Sequence, residues 1–258
     1  MTTAFPPDLF SLKGQVAVVT GGNGGLGLAM ARALQDAGAT VVVTGRDPGK
    51  NAAVADEFEV RPLDVTDSPA VTRFFADLGR DRDVHILVNN AGIFLDDPVS
   101  AGDLSAWERM IDVNLTGPLR CAREAAGHMR RAGRGKIINI GSMYSVLGHP
   151  RSAGYTATKA GLVGLTRSLA TELGGHNIQA NAILPGWFPT DGNGDLPRRP
   201  EGEEIRRRTP AGRWGQVSDL AGVTVFLASR ASDFVTGAAV PVDGGYLVND
   251  RFLDEGPV

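Results

Sequence analysis

The chain has 258 residues, 34 of them glycine and 15 proline, with 42% hydrophobic residues and a formal charge of −3. Glycine at about 13%, against an ordinary usage of about 7%, carries no Gly-X-Y period, so collagen is excluded, and the apolar content excludes a disordered chain. With 26 basic and 29 acidic residues there is no general attraction to nucleic acid, and without a run of 18 apolar residues no membrane span is expected.

The length predicts one α/β domain over 1–258. Val16-Ala17-Val18-Val19 reads as a short buried strand, followed by a glycine-rich turn and by Leu28 to Ala37 at helical spacing, closed by Gly38. Thr40 to Thr44 is the next strand. The stretch from Arg46 to Arg61 is short and poor in a full amphipathic helix, and a brief strand follows at Val60 to Leu63. A helix runs from Asp67, with Ser68-Pro69 at its start, to Leu78, and Val84 to Val88 is a buried strand. Trp107 to Arg131 is a long helical pattern containing the lone cysteine, Cys121, which reads as a small buried hydrophobe. Lys136 to Ile140 is a strand, Ala153 to Leu173 a second long helix ending at Gly174-Gly175, Ile178 to Leu184 a strand, and Ala238 to Val242 the last. Between the last two, Pro185 to Gly215 is irregular and predicts a substrate-binding lid or loop at 187–215, with the Arg206-Arg207-Arg208 run as a solvated helix face. Strands alternating with helices predict a doubly wound parallel sheet with a crevice at the carboxyl ends of its strands. One thiol and no leader-like N-terminus fit a cytoplasmic protein.

Chemistry concentrates where strands end. The turn Thr20-Gly21-Gly22-Asn23-Gly24-Gly25-Leu26-Gly27 joins the first strand to the first helix. Backbone without Cβ atoms can press on a pyrophosphate at a helix N-terminus, so Gly21, Asn23, Gly25, Leu26 and Gly27 are read as cofactor contacts. The second strand ends in Gly45-Arg46, a guanidinium where an NAD fold places a carboxylate; this favours NADP over NAD unless Asp47 pairs with Arg46. Asp64 and Val65 follow the third strand, and Asn89-Asn90-Ala91-Gly92 the fourth. Tyr155 and Lys159 stand i and i+4 on one helix face, where the ammonium is expected to lower the phenol pKa from about 10 and make a general acid/base. Ser142 ends the fifth strand, 13 residues upstream, and its hydroxyl is placed to bond the substrate oxygen. Met143, His149, Arg151 and Trp187 neighbour these motifs and are candidate substrate contacts, His149 and Arg151 as readers of a carboxylate or hydroxyls. His85, His128, His149 and His176 have no metal-ligand spacing, so no metal is expected, and neither a Walker A loop nor a GxSxG elbow occurs.

Together these residues resemble the short-chain dehydrogenase/reductase family: TGxxxGxG at Thr20 to Gly27, NNAG at Asn89 to Gly92, Asn114, Ser142, YxxxK at Tyr155 and Lys159, and Pro185-Gly186. The resemblance implies a seven-stranded Rossmann sheet and hydride transfer between nicotinamide and a carbonyl or secondary alcohol. It implies that Tyr155 is the acid/base, Ser142 holds the reacting oxygen, Lys159 lowers the Tyr155 pKa and holds the nicotinamide ribose, and Asn114 supports a water-linked proton relay. It implies Asp64 at the adenine, the main chain of Asn90-Ala91 at the ribose, and Thr190 at the carboxamide or phosphates. Thr209 to Gly215 and Ser218 to Gly245 resemble sugar-acid members of the gluconate 5-dehydrogenase and 2-deoxygluconate dehydrogenase types, which points to a sugar acid or polyol. The alternatives are a 3-oxoacyl or other ketone reductase, or a non-catalytic dinucleotide-binding regulator. A homotetramer or homodimer through the two long helices is implied, with Leu247 to Val258 against a neighbouring subunit.

Overall fold

Strands form where apolar, mostly β-branched residues run unbroken, as expected of a sheet covered on both faces. In the computed structural model, which describes residue 6, residues 8–100 and residues 103–249, seven strands make one sheet. They are β1 (Val16–Thr20), β2 (Thr40–Gly45), β3 (Glu59–Pro62), β4 (Ile86–Asn89), β5 (Gly135–Ile140), β6 (Ile178–Pro185) and β7 (Ala239–Val242). Their order is β3-β2-β1-β4-β5-β6-β7, with every pair parallel. The helices are α1 (Gly25–Asp36), α2 (Pro48–Ala52), α3 (Ser68–Leu78), α4 (Ser105–Ile111), α5 (Gly117–Ala132), α6 (Ala153–Leu173), α7 (Pro200–Arg208) and α8 (Ala221–Ala228).

The two-residue period of the strands sorts the core into two layers. Ala17, Val19, Val41 and Val43 pack with Met30 and Leu34 of α1 and Leu227 of α8. Val18, Val42, Leu87 and Ile137 pack on the other face with Phe75 of α3, Met129 of α5 and Leu169 of α6. Each fully buried side chain of this size contributes about 1.5–3 kcal/mol. The chain leaves β1 toward β2 and β3, then returns to β4 on the other side of β1. That reversal opens a crevice at the carboxyl ends of β1 and β4.

Three sequence expectations change, and one helix is found that the sequence did not announce. Trp107 to Arg131 is not one helix, because a π-helical segment, Asp112–Thr116, separates α4 from α5. The Gly117 N–H reaches the Asp112 carbonyl, and Pro118 has no N–H to give the Asn114 carbonyl, so the α-helical ladder breaks there. The stretch from Pro185 to Gly215 contains the nine-residue α7. It opens on proline, carries Glu201 and Glu203 in its first turn and Arg206, Arg207 and Arg208 in its last, which matches the helix dipole. Helix α8, apolar on nearly every side, shows no helical period to read. Asp47 is a cap rather than an ion-pair partner of Arg46: its carboxylate accepts the Lys50 N–H (3.0 Å) at the start of the five-residue α2. Cys121 is buried, which pushes its thiol up to about 12 and leaves it unreactive. Among the described residues no helix is long and apolar enough to cross a membrane. The expected contact of Leu247 to Val258 falls largely on residues 250–258, outside the described residues.

Candidate active site

The glycine turn closes because it lacks side chains. Gly21 and Gly25 take φ of +62° and +52°, and a Cβ on Gly27 would stand 2.3 Å from the Gly21 carbonyl oxygen. Asn90 Nδ2 donates to the carbonyls of Thr20 (3.0 Å) and Gly21 (2.9 Å) and so holds the turn from beneath. Thr20 Oγ1 accepts the N–H groups of Asn90 (3.0 Å) and Ala91 (3.1 Å), which locks the end of β1 to the end of β4. No side chain caps α1, whose first N–H groups lack intrahelical acceptors, and Gly25 and Leu26 border the crevice. Unpaired N–H groups at a helix start are the kind that attract an anion. Thr190 comes from the opposite wall, its Cγ2 3.9 Å from where a Gly25 Cβ would be.

The tip of β2 is equally constrained. A Cβ on Gly45 would overlap the Asn23 amide, at 2.1 Å from Nδ2. That amide donates to Asn51 Oδ1 (2.8 Å), and Asn51 Nδ2 donates to the Gly45 carbonyl (3.0 Å). Arg46 faces Asp64 at 3.5 Å. Burial alone raises the Asp64 carboxyl, but the Thr66 N–H (2.9 Å), the Thr66 hydroxyl (2.7 Å) and Arg46 outweigh it and hold the group below its ordinary value. Val65 packs on Gly117, whose Cβ would lie 2.8 Å from Val65 Cγ2. Lys50, which the sequence reading missed, borders the crevice beside Arg46, with Nζ 3.9 Å from where a Gly24 Cβ would be. Its signal was its position four residues after Arg46, across the Asp47-Pro48 helix start.

The other end of the same cavity, about 860 Å³ in volume, holds the acid/base candidates. Ser152 caps α6 and its Oγ accepts the Tyr155 N–H (3.4 Å), which puts Tyr155 in the first turn and Lys159 one turn later. Ser142 follows β5 and caps a short 3₁₀ turn, its Oγ accepting the Tyr144 N–H (3.1 Å). The Ser142 hydroxyl borders the same cavity as the Tyr155 phenol and favours its ionised form. Lys159 Nζ donates to the Ile140 carbonyl (2.7 Å) and lies 5.6 Å from the Tyr155 ring centroid. Asn114 Oδ1 and Lys159 Nζ both approach Gly92, 3.3 Å and 3.6 Å from where its Cβ would be. Asn114 sits in the π-helical segment, its side chain paired with both the N–H and the carbonyl of Ile93 (2.8 Å each).

The electrostatics correct one expectation. Burial raises the Tyr155 phenol above its ordinary value, and the Ser142 hydroxyl only partly offsets this. The Lys159 ammonium stands 5.6 Å from the ring centroid and bonds the Ile140 carbonyl. Burial lowers Lys159 itself to about 8.

Of the candidate substrate contacts, Met143, His149 and Trp187 border the cavity, as do Pro185 and Gly186. Arg151 does not: its guanidinium pairs with Asp96 on the exposed surface, while its carbonyl accepts the Asp97 N–H (2.7 Å). That bond and Ser152 Oγ to the Leu95 carbonyl (2.8 Å) pin the segment after β4 over α6. Phe94 and Tyr144, both missed in the sequence reading, thereby join Tyr155 in an aromatic wall, at ring centroid distances of 5.2 and 6.3 Å. Burial first, then nearby phenols, pushes the Tyr144 hydroxyl up to about 12.

Several known proteins are similar to this chain over nearly its whole length. A family model described as enoyl-(acyl carrier protein) reductase matches residues 21–247. Gluconate 5-dehydrogenase of Gluconobacter oxydans (strain 621H) is 42% identical, covering 94% of this chain and 98% of its own. The 2-dehydro-3-deoxy-D-gluconate 5-dehydrogenase of Bacillus subtilis (strain 168) is 40% identical over 93% and 97%. The crystal structure of a gluconate 5-dehydrogenase from Burkholderia cenocepacia J2315 in complex with NADP and tartrate superposes with a TM-score of 0.88 at 39% identity, over 94% of this chain and 98% of that one. The chain belongs to the short-chain dehydrogenase/reductase family and is an NAD(P)-dependent oxidoreductase acting on CH–OH donors.

Proposed function

We propose that this enzyme is a cytoplasmic, NADP-preferring dehydrogenase of a sugar acid or polyol. In this reading residues 1–258 are one Rossmann domain, 187–215 its lid, and the working form a homotetramer or homodimer. The observation that carries it is the gathering of Ser142, Tyr155 and Lys159 at one end of a cleft whose other end is an uncapped helix start. The turn fits a dinucleotide because Gly21, Asn23, Gly25 and Leu26 border the cavity at the uncapped helix start, with Gly27 packed beneath them against the Gly21 carbonyl. Gly21, Asn23, Gly25, Leu26, Gly27, Asn90, Ala91, Gly92 and Thr190 would hold the pyrophosphate and riboses, Asp64 and Val65 the adenine side, and Arg46 with Lys50 the 2′-phosphate. Pro185 and Gly186 would border the nicotinamide. When bound, nicotinamide gives or takes the hydride.

The chain's own residues handle the oxygen and its proton. Ser142 Oγ orients the reacting oxygen. Tyr155 Oη gives a proton to a carbonyl oxygen or takes one from a hydroxyl. Lys159, charged at neutral pH, holds a ribose and stabilises negative charge on the phenol oxygen in the reaction. Asn114, beside Lys159, positions water for the proton's exit. The names of the relatives support a sugar-acid substrate. A panel of sugar acids, polyols and ketones with NADP and NAD, followed by nicotinamide absorbance, tests the reading. It expects NADP with a polyhydroxy substrate; strict use of NAD contradicts the Arg46–Lys50 argument, and turnover confined to 3-oxoacyl thioesters selects the ketone reductase instead.

A further inference from the structure

Beyond the reacting oxygen the cleft ends in aromatic rings, and one of them has a polar edge. His149 lies edge-to-face against Phe94 (ring centroids 5.0 Å, 71°) and Tyr144 (4.8 Å, 77°), the two rings that also touch Tyr155. Its main-chain N–H donates to Thr156 Oγ1 (3.1 Å), which ties its loop to the first turn of α6, where Tyr155 stands. The Arg151 N–H donates to His149 Nδ1 (3.2 Å). That makes Nδ1 the acceptor and places the ring proton on Nε2. Burial lowers the basicity of the ring and Arg151 adds to this; Asp96 opposes both but is itself paired with Arg151. The imidazole is therefore a neutral N–H donor, clamped by packing and bordering the cavity with Ser142 and Tyr155.

We infer that His149 is a specificity-determining residue, whose Nε2–H binds a substrate hydroxyl away from the reacting carbon and so selects polyhydroxy substrates over mono-alcohols. The inference rests on the Ser142–Tyr155 site proposed above. A clamped donor that meets no substrate oxygen loses its water without replacement, which penalises a substrate with a single hydroxyl. Phe94 and Tyr144 offer the apolar faces against which a carbon chain packs.

Two variants separate donor from packing. His149→Phe keeps a ring in the wall and removes the donor, and His149→Gln restores an N–H at similar reach. kcat/KM is measured with the best substrate among gluconate, sorbitol and xylitol and with cyclohexanol, and the dissociation constants of that polyhydroxy substrate and of NADP by calorimetry. The polyhydroxy-to-cyclohexanol ratio should fall at least about tenfold in His149→Phe and return to within about threefold of wild type in His149→Gln. The polyhydroxy substrate should bind more weakly in parallel, with NADP affinity unchanged. An unmoved ratio, an equal fall in both variants, or a wild type that turns over cyclohexanol but none of the three polyhydroxy compounds overturns the inference. If His149→Phe fails to bind NADP, His149→Leu takes its place. A Tyr155→Phe arm tests the reading beneath: retained turnover there defeats the site itself, whereas lost turnover with an unmoved ratio defeats only the role of His149.

Discussion

Lys159 carries an ammonium into a site from which water has been removed, and the protein tolerates it. Lowering this group from 10.5 to about 8 corresponds to roughly 3 kcal/mol of burial penalty. Below pH 8 the folded and unfolded chains both hold the proton, and the folded one bears the whole penalty. Between about pH 8 and 10.5 the folded chain releases it first, so this group's contribution to stability improves as pH rises through that window. Lys159→Met should therefore be the more stable protein at pH 7, by about 1–2 kcal/mol after the Ile140 carbonyl loses its donor, while turnover collapses. Denaturant melts of both proteins from pH 7 to 10 check this; the gap should narrow with pH, and a constant gap rejects it. The phenol of Tyr155 is shifted the other way. It stays protonated at neutral pH, poised to donate, so kcat/KM for alcohol oxidation should climb as pH rises into the alkaline range. The Ser142 hydroxyl lowers the phenol pKa, so Ser142→Ala should move that limb to higher pH as well as slow the reaction. The identities of Ser142, Tyr155 and Lys159 were legible in the sequence because their spacing is the motif. The direction of the Tyr155 shift was not, because desolvation belongs to the packed cleft and i, i+4 spacing says nothing about it.

At the scale of elements, the strand–turn–helix unit of β1 and α1 makes the sharpest prediction. Gly27→Ala places a methyl 2.3 Å from the Gly21 carbonyl and 2.4 Å from Asn90 Nδ2. The turn must open, at a loss of about 1–3 kcal/mol in stability and with NADP affinity reduced. Gly24→Ala, where the new Cβ meets nothing nearer than 3.9 Å, should keep the wild-type melting temperature. The tip of β2 predicts a cofactor switch. Arg46→Ser with Lys50→Ser should cut the preference for NADP over NAD at least about tenfold, read as the ratio of kcat/KM values for the two cofactors. Lys50 was hidden in the sequence because a five-residue helix shows no period. The same limit hid α8, whose uniform apolarity masks its helical face, and the break at Asp112–Thr116, which needs the pairing of Gly117 with Asp112 to be seen. Arg151 misled for a related reason: two residues from His149 in sequence, its guanidinium extends to Asp96 outside the cleft.

At the scale of the molecule, the parallel sheet was readable because seven apolar runs alternate with helical patterns, and the chain reversal between β3 and β4 puts the crevice where the glycine, asparagine and tyrosine motifs converge. The convergence spans 134 residues from Gly21 to Tyr155, yet one cavity joins them. The subunit count rests on the proposed use of the long helices and is read directly by size exclusion with light scattering, which should give two or four chains. The central claim is that Tyr155 moves the proton in a cleft that binds the dinucleotide independently of it. Tyr155→Phe, assayed by nicotinamide absorbance beside a calorimetric NADP titration, tests it most directly. The account predicts turnover reduced by about 10²–10⁴-fold with NADP affinity within about threefold of wild type; unchanged turnover with the same substrate would contradict it.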